Sequence, residues 1–246
     1  MREAMITISD LKKSYFTSSA QKVIALDNIN LMIEKGEFVS FIGPSGCGKS
    51  TLLRIISGLE NFQEGKMNFA GNNKGFVFQD SALLPWKTVY QNIIFPLEIK
   101  QQMTEIYLDN VKGLIELVGL DAFRNALPKE LSGGMKQRVS IARSLSYNPD
   151  VLMMDEPFGA LDAMTRDSLN IELRKIWHQS NKTILFVTHD IEEAVFLSTK
   201  VVVLSSRPGT IKEIVSIDLD TNRDLSIRSS EKFNRFISYL REVLEQ

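Results

Sequence analysis

Three kinds of hydrophobic pattern follow one another along this chain. Residues 5 to 42 break into apolar segments of strand length, Met5 to Leu11, Ile24 to Ile33 and Phe38 to Ile42, separated by polar, turn-forming residues. The pattern predicts short antiparallel strands leading into a buried one. A second short-strand region is predicted around Lys66 to Phe69 and Gly75 to Phe78. From Ser81 to about Ser146 the period changes: Leu108, Val111, Leu114, Ile115 and Val118 recur at three- and four-residue steps, the spacing of a helix face. After Pro149, apolar runs return at Val151 to Met154, Thr183 to Thr188 and Lys200 to Leu204, with helices predicted at about Ala163 to Gln179 and Ile191 to Ser198. Strands that are apolar along their length and alternate with helices belong in a largely parallel sheet covered on both faces. Arg207-Pro208-Gly209 reads as a turn, Ile211 to Ile217 as a last strand and Ser229 to Leu244 as a closing amphipathic helix. The expected class is therefore α/β: a mainly parallel core, an N-terminal antiparallel β-subdomain and an inserted helical lobe.

Composition narrows the picture by exclusion. The 246 residues suffice for one large α/β domain with an inserted lobe. With 29 basic against 30 acidic residues the formal net charge is −1, so no bulk positive field points to a nucleic-acid partner. No apolar run approaches the roughly 18 residues needed to span a bilayer, and Met1 to Asp10 lacks the apolar core of a secretory signal. A soluble, cytosolic chain is expected. The single cysteine, Cys47, excludes a disulfide framework; its position predicts that the site containing it is exposed to thiol chemistry, against the plainer reading of a small residue at a variable loop position.

That site is the phosphate-binding loop Gly43-Pro44-Ser45-Gly46-Cys47-Gly48-Lys49-Ser50-Thr51, which fits G-x-x-x-x-G-K-[ST] between a predicted strand and a predicted helix from Lys49 to Ser57. Its glycines let backbone N–H groups converge on phosphate oxygens, Lys49 can reach the outer phosphates of a nucleoside triphosphate, and Ser50 can ligate Mg²⁺. About a hundred residues on, Asp155 and Glu156 follow the apolar strand at the edge where ligands of open α/β sheets bind. Asp155 is placed to hold Mg²⁺ opposite Ser50, and Glu156 to orient or deprotonate an attacking water. A third element, Leu131-Ser132-Gly133-Gly134-Met135, opens a helix with Ser132 as N-cap, and its free N–H groups make a second anion site.

Leu131 to Met135, with Gln137 just after, resembles the signature motif of the ATP-binding cassette (ABC) ATPases, and it stands where that family has it, between the phosphate loop and the Asp-Glu strand. The resemblance covers essentially all of residues 1–246 as one ABC ATPase domain. It implies a RecA-like nucleotide-binding core with its antiparallel subdomain over 1–80 and 146–246, and a helical lobe carrying the signature motif over 81–145. It also implies that Tyr15 stacks on adenine, with Phe16 an equally available aromatic. Gln79 would sense Mg²⁺ and the attacking water, Asp162 would lie in the loop crossing between subunits, and His189 would contact the γ-phosphate. The other histidine, His178, reads as structural or exposed. Segment Ser81 to Phe95 would receive a coupling helix from a membrane subunit, with core packing the alternative for Trp86. In the family two copies pair head to tail, so ATP held by one copy's phosphate loop is closed over by Ser132, Gly133 and Gly134 of the other.

Longer strings, Ala82 to Trp86, Met153 to Ala163, Phe186 to Phe196 and Ser206 to Gly209, are similar to ATPase subunits of bacterial importers for nitrate, sulfonate, taurine or bicarbonate, a group that includes importers of thiamine-precursor pyrimidines. The implied setting is peripheral, on the cytoplasmic face of the inner membrane, with integral-membrane permease subunits and, indirectly, a solute-binding protein. The competing expectation is a soluble ABC ATPase acting on ribosomes or DNA. Those proteins commonly carry tandem cassettes or a long coiled-coil insertion, and this chain has neither. A phosphate-loop kinase or GTPase would have no use for Leu131 to Met135. One departure is visible: Gly65 to Gly75 is shorter than the family usually has, which leaves the strand pairing there open.

Overall fold

The computed structural model describes residues 3–16, 18, 20–180 and 182–245; Met1, Arg2 and Gln246, the ends of the predicted domain, lie outside these. Its strands are β1 (Ala4–Phe16), β2 (Lys22–Glu34), β3 (Phe38–Ile42), β4 (Glu64–Phe69), β5 (Lys74–Val77), β6 (Val151–Asp155), β7 (Thr183–Val187), β8 (Lys200–Leu204) and β9 (Ile211–Ser216). They form two sheets, one in the order β2-β1-β4 and one in the order β5-β6-β7-β3-β8-β9. The first is antiparallel. The second is parallel except for β9, which runs antiparallel to β8 at the edge.

Each apolar strand of the large sheet serves two cores. Along β6, Val151 and Met153 belong to one buried cluster and Leu152 and Met154 to the other; β3, β7 and β8 divide in the same alternating way. Strand geometry sends successive side chains to opposite faces, so a strand buried on both sides must be apolar at nearly every position. One cluster joins this sheet to the antiparallel sheet through helix α1 (Lys49–Ser57), whose Leu52, Leu53, Ile55 and Ile56 are buried between them. The other face is covered by α2 (Val89–Ile99), α3 (Glu105–Leu117), α4 (Gly133–Leu145), α5 (Ala163–Ser180), α6 (Ile191–Leu197) and α7 (Glu231–Glu245). Helices α2 to α4 are inserted between β5 and its sheet neighbour β6. The α/β class and its antiparallel subdomain are thus as expected.

Two details differ from the sequence expectation. The first strands are 13 residues each rather than short. Their pairing continues past polar residues because register shifts absorb the irregularity, with Asp10 (φ 52°) and Asn28 (φ 49°) in left-handed backbone and Asp10 N–H donating to Asn30 Oδ1 at 3.0 Å. The predicted pair of strands after α1 also divides, β4 joining β1 and β5 joining β6, which settles the pairing across the short Gly65–Gly75 segment.

Before α2 the chain is irregular rather than helical. Buried Asn92 holds that stretch from within α2: its amide donates to Leu84 O (3.2 Å), Lys87 O (2.8 Å) and Thr88 O (3.0 Å), and its Oδ1 accepts from Leu84 N–H (2.8 Å). Thr88 and Gln91 complete the start of α2 as a capping box. The turn so fixed leaves Trp86 71% exposed, which removes core packing as the reason for that residue.

Candidate functional site

The site is built where β3, β6 and β7 end. Between Ile42 and Lys49 the chain wraps a loop whose last residue, Gly48 (φ 102°), caps α1 in left-handed backbone; a Cβ there would stand 2.6 Å from Leu26 Cδ2. Lys49 is 6% exposed and its ammonium donates to Gly43 O (2.7 Å) and Pro44 O (3.1 Å), so the loop is folded about its own cation. A cavity of about 260 Å³ opens above it, lined by Tyr15, Ala25, Ser45, Gly46, Gly48, Lys49, Ser50, Thr51, Glu156 and Arg207. A buried ammonium at the N-terminus of a helix is a setting for a polyanion. Cys47 does not share the opening: it is 1% exposed and belongs to the core cluster under α1, which corrects the expectation of thiol access.

Tyr15 closes the cavity on the side of the antiparallel sheet. Its hydroxyl donates to Glu60 Oε1 (2.5 Å) and lies 3.3 Å from Thr51 Oγ1, while Lys13 Nζ stands 4.8 Å from the ring centroid. Burial, then the Glu60 contact, pushes the phenol above its ordinary range. The alternative aromatic, Phe16, is 72% exposed and does not line the cavity.

Strand parity aims the two acids apart. Asp155 continues the Val151–Met153 face toward α1, where its Oδ1 accepts the Ser50 hydroxyl at 2.6 Å and its Oδ2 lies 3.7 Å from Arg54. Glu156 turns the other way through left-handed backbone (φ 45°), held by its N–H donating to Val187 O at 3.0 Å, and its carboxylate reaches within 3.3 Å of His189 Nδ1. A non-glycine residue in that region is strained, and such strain concentrates at functional sites. His189 sits on a short loop pinned from below. Thr188 Oγ1 donates to buried Glu193 Oε2 (2.5 Å) and accepts from Asp190 N–H (3.0 Å), while Asp190 caps α6 by accepting from Glu192 and Glu193 N–H. Desolvation pushes the Glu193 carboxyl up to about 6. His178 lies elsewhere, with Nε2 2.6 Å from Thr221 O and its ring edge-on to Trp177, a structural setting.

Gln79 is exposed two residues beyond β5, whose Val77 pairs with Met154 just before the two acids. Its loop is tied to α4 by Arg143, which donates to Ser81 O and Ala82 O at 2.9 Å each. The sequence marks Arg207 only as part of a turn and Arg143 not at all; each acts on a backbone distant in the chain, and no local pattern marks such a contact. Ser132 caps α4, accepting from Met135 N–H at 3.3 Å, but neither it nor Gly133 or Gly134 lines the cavity. Ser132 and Gly133 are exposed, and Gly134 packs on the start of α5, where a Cβ on it would lie 2.6 Å from Thr165 Cγ2. There Asp162 accepts from Thr165 N–H (3.0 Å), a bond that holds its carboxyl below the usual range. One chain therefore assembles the phosphate loop, Tyr15 and Glu156 around one cavity, with Asp155 and His189 beside it, and carries the Ser132–Gly134 helix start outside that cavity.

The chain is similar to known proteins along most of its length. A family model described as ABC transporter matches residues 26–159. An uncharacterized ABC transporter ATP-binding protein of Methanocaldococcus jannaschii is 49% identical, over 93% of this chain and 86% of that protein. An aliphatic sulfonates import ATP-binding protein of Bacillus cereus is 45% identical, over 98% and 95%. A nitrate import ATP-binding protein of Synechocystis is likewise 45% identical, over 97% and 93%. Among solved structures, a dimeric bacterial ABC transporter cassette superposes with a TM-score of 0.77 at 33% identity, over 88% of this chain and 100% of that one. A dimeric post-hydrolysis state bound to ADP and phosphate gives 0.76 at 32%.

Proposed function

This chain belongs to the ABC transporter family, as an ATP-binding, ATP-hydrolysing transport subunit, and we propose that it powers a solute importer by closing head to tail on a second copy of itself. The observation that carries the proposal is the separation of its two anion-seeking helix starts: the phosphate loop lines the cavity, whereas Ser132, Gly133 and Gly134 do not. A second copy supplies the missing wall. Gly43 to Thr51 cradle the phosphates, Tyr15 stacks on the base, and Asp162 joins the contact between copies.

The hydroxyl of Ser50 and the carboxylate of Asp155, 2.6 Å apart, are hard oxygen donors of the kind Mg²⁺ takes, and would hold that ion together with Gln79. When bound, the ion neutralises phosphate charge. Glu156 accepts the proton of the attacking water, and His189, 3.3 Å from it, faces the γ-phosphate. Loss of that phosphate removes contacts between the two copies, and their opening is the mechanical step.

The lobe over residues 81–145 transmits that step to a permease. Trp86 is exposed, an apolar groove of about 420 Å³ includes Leu84, two residues before it, with Phe76, Phe78 and Phe95, and Arg143 links this groove to the Gln79 loop. Among the described residues no helix is long and apolar enough to cross a membrane, which fits a peripheral subunit at the cytoplasmic face of the inner membrane. The relatives named for sulfonate and nitrate import point to a small solute of the nitrate, sulfonate, taurine or bicarbonate kind, or a thiamine-precursor pyrimidine, delivered by a solute-binding protein.

The test uses tagged Glu156→Gln protein, expected to bind Mg-ATP, dimerise in it and hydrolyse it at least ~100-fold more slowly, the loss typical of removing a general base. Recovered from detergent-solubilised membranes, it should bring a multi-span permease. Unchanged turnover would remove Glu156 from its role, and recovery with ribosomes or DNA alone would overturn the import reading. Ser132→Arg should bind ATP as a monomer; normal dimerisation would refute the two-site closure.

A further inference from the structure

The turn that follows β8 reaches back over the phosphate loop. Ser205 closes it, its hydroxyl donating to Pro208 O (3.0 Å) and accepting from Thr210 N–H (2.9 Å). Gly209 anchors it to β2, donating to Ala25 O (2.9 Å) and accepting from Asp27 N–H (3.0 Å). It also lies so close to the phosphate loop that a Cβ on Gly209 would stand 2.0 Å from Cys47 O. A turn bonded this way holds whatever it carries in a fixed place. It carries Arg207, whose Nη2 donates to Gly46 O at 3.2 Å and whose side chain lines the nucleotide cavity.

The charges around that cavity are uneven. Arg54 faces Asp155 at 3.7 Å, and Glu156 faces His189 at 3.3 Å. Among the described residues Lys49 and Arg207 are the cations that line the cavity, and neither has a carboxylate partner. Among the described residues only Nη2 of Arg207 has a hydrogen-bond partner, which leaves the other donors of a planar, permanently charged fork for a ligand in the cavity that Arg207 lines. A nucleoside triphosphate keeps excess negative charge even with one divalent ion, more than Lys49 alone offsets.

We propose that Arg207 is a phosphate-binding residue of the nucleotide site, reaching from the Ser206–Gly209 turn to the phosphate chain of a nucleoside di- or triphosphate while its Nη2 stays on Gly46. This rests on the ATP-site reading above. The test is titration of Mg-ATP, Mg-ADP and Mg-GTP into Glu156→Gln protein carrying Arg207→Ala, Arg207→Gln or Arg207→Lys, at low and high salt. Ala and Gln should each weaken adenine-nucleotide binding roughly tenfold, a charge-assisted contact discounted for exposure. Lys should recover most of the loss, the deficit should shrink with salt, and the preference for ATP over GTP should not move. Gln retains a donor for Gly46 O, so full affinity in Gln with loss in Lys would mean a neutral loop clamp and overturn the proposal. A changed ATP-to-GTP preference would mean a base contact and do the same. Unaltered binding in Arg207→Ala overturns this inference alone, whereas a Glu156→Gln parent that does not bind Mg-ATP overturns the site reading with it.

Discussion

Replacing Glu193 by glutamine should make the protein more stable at neutral pH relative to wild type than it does in mild acid. Glu193 is 6% exposed and lies beneath the His189 loop. Desolvation and, less, the neighbouring Asp190 raise its pKa from 4.5 to about 6, against the Thr188 hydroxyl, Asn170 and Arg166, which favour its charge. A carboxyl whose folded pKa is raised binds its proton more tightly when folded. Its favourable contribution is therefore complete below pH 4.5 and is lost as pH rises through 6. By linkage the stability lost to its ionisation is about 1 kcal/mol at pH 5 and about 2 kcal/mol at pH 7.5. The amide keeps the size of the side chain and an oxygen for the Thr188 hydroxyl to donate to, 2.5 Å away in the native contact, but cannot ionise. Urea unfolding of both proteins at the two pH values should show the variant gaining about 1 kcal/mol on wild type between them. Parallel stability profiles, or a gain by wild type as pH rises, would refute the assignment of a buried, reluctantly charged carboxyl.

The remaining predictions concern the helical segment and the phosphate loop. Asn92→Ala strips a buried residue of four hydrogen bonds to the 84–88 turn and should cost about 2–4 kcal/mol in urea unfolding; a loss below about 0.5 kcal/mol would show that the turn holds itself. Trp86→Ser, at a 71% exposed position, should leave stability within about 0.5 kcal/mol yet abolish co-purification of the permease, and retained co-purification would place the permease elsewhere. Cys47, 1% exposed, should react with a thiol-specific dye only as fast as the protein opens, and at once in urea; rapid stoichiometric labelling of folded protein would contradict its burial.

The sequence carried those parts of the fold that periodicity and short-range chemistry encode. Lys49–Ser57 was placed to the residue, because a glycine cap and a compact apolar face bound it. The unbroken apolar runs at β6, β7 and β8 announced burial on two faces. The positions of Asp155, Glu156 and His189 follow from strands that end at or just before them. Long-range backbone contacts were not legible. Arg143 meets carbonyls 61 and 62 residues away, and Arg207 one 161 residues away, and each looks locally like an ordinary surface arginine. The burial of Cys47 was missed because the loop motif fixes backbone and says nothing of where a variable side chain packs. The length of β1 was underestimated because Lys12 and Lys13 interrupt its apolar pattern while the backbone pairing runs on.

The alternation along β6 has a further consequence for which length changes this chain tolerates. Odd residues of that strand face α1 and even ones face the opposite helices, and Asp155 and Glu156 inherit those directions at its end. Deleting one residue from the strand would turn the aspartate toward His189 and the glutamate toward Ser50, and would exchange the contents of both cores at the same stroke. Deleting two would shorten the strand but return each acid to its own side. Heritable indels within this strand should therefore survive, if at all, only in even numbers, a parity rule imposed on the gene by the pleat of one strand.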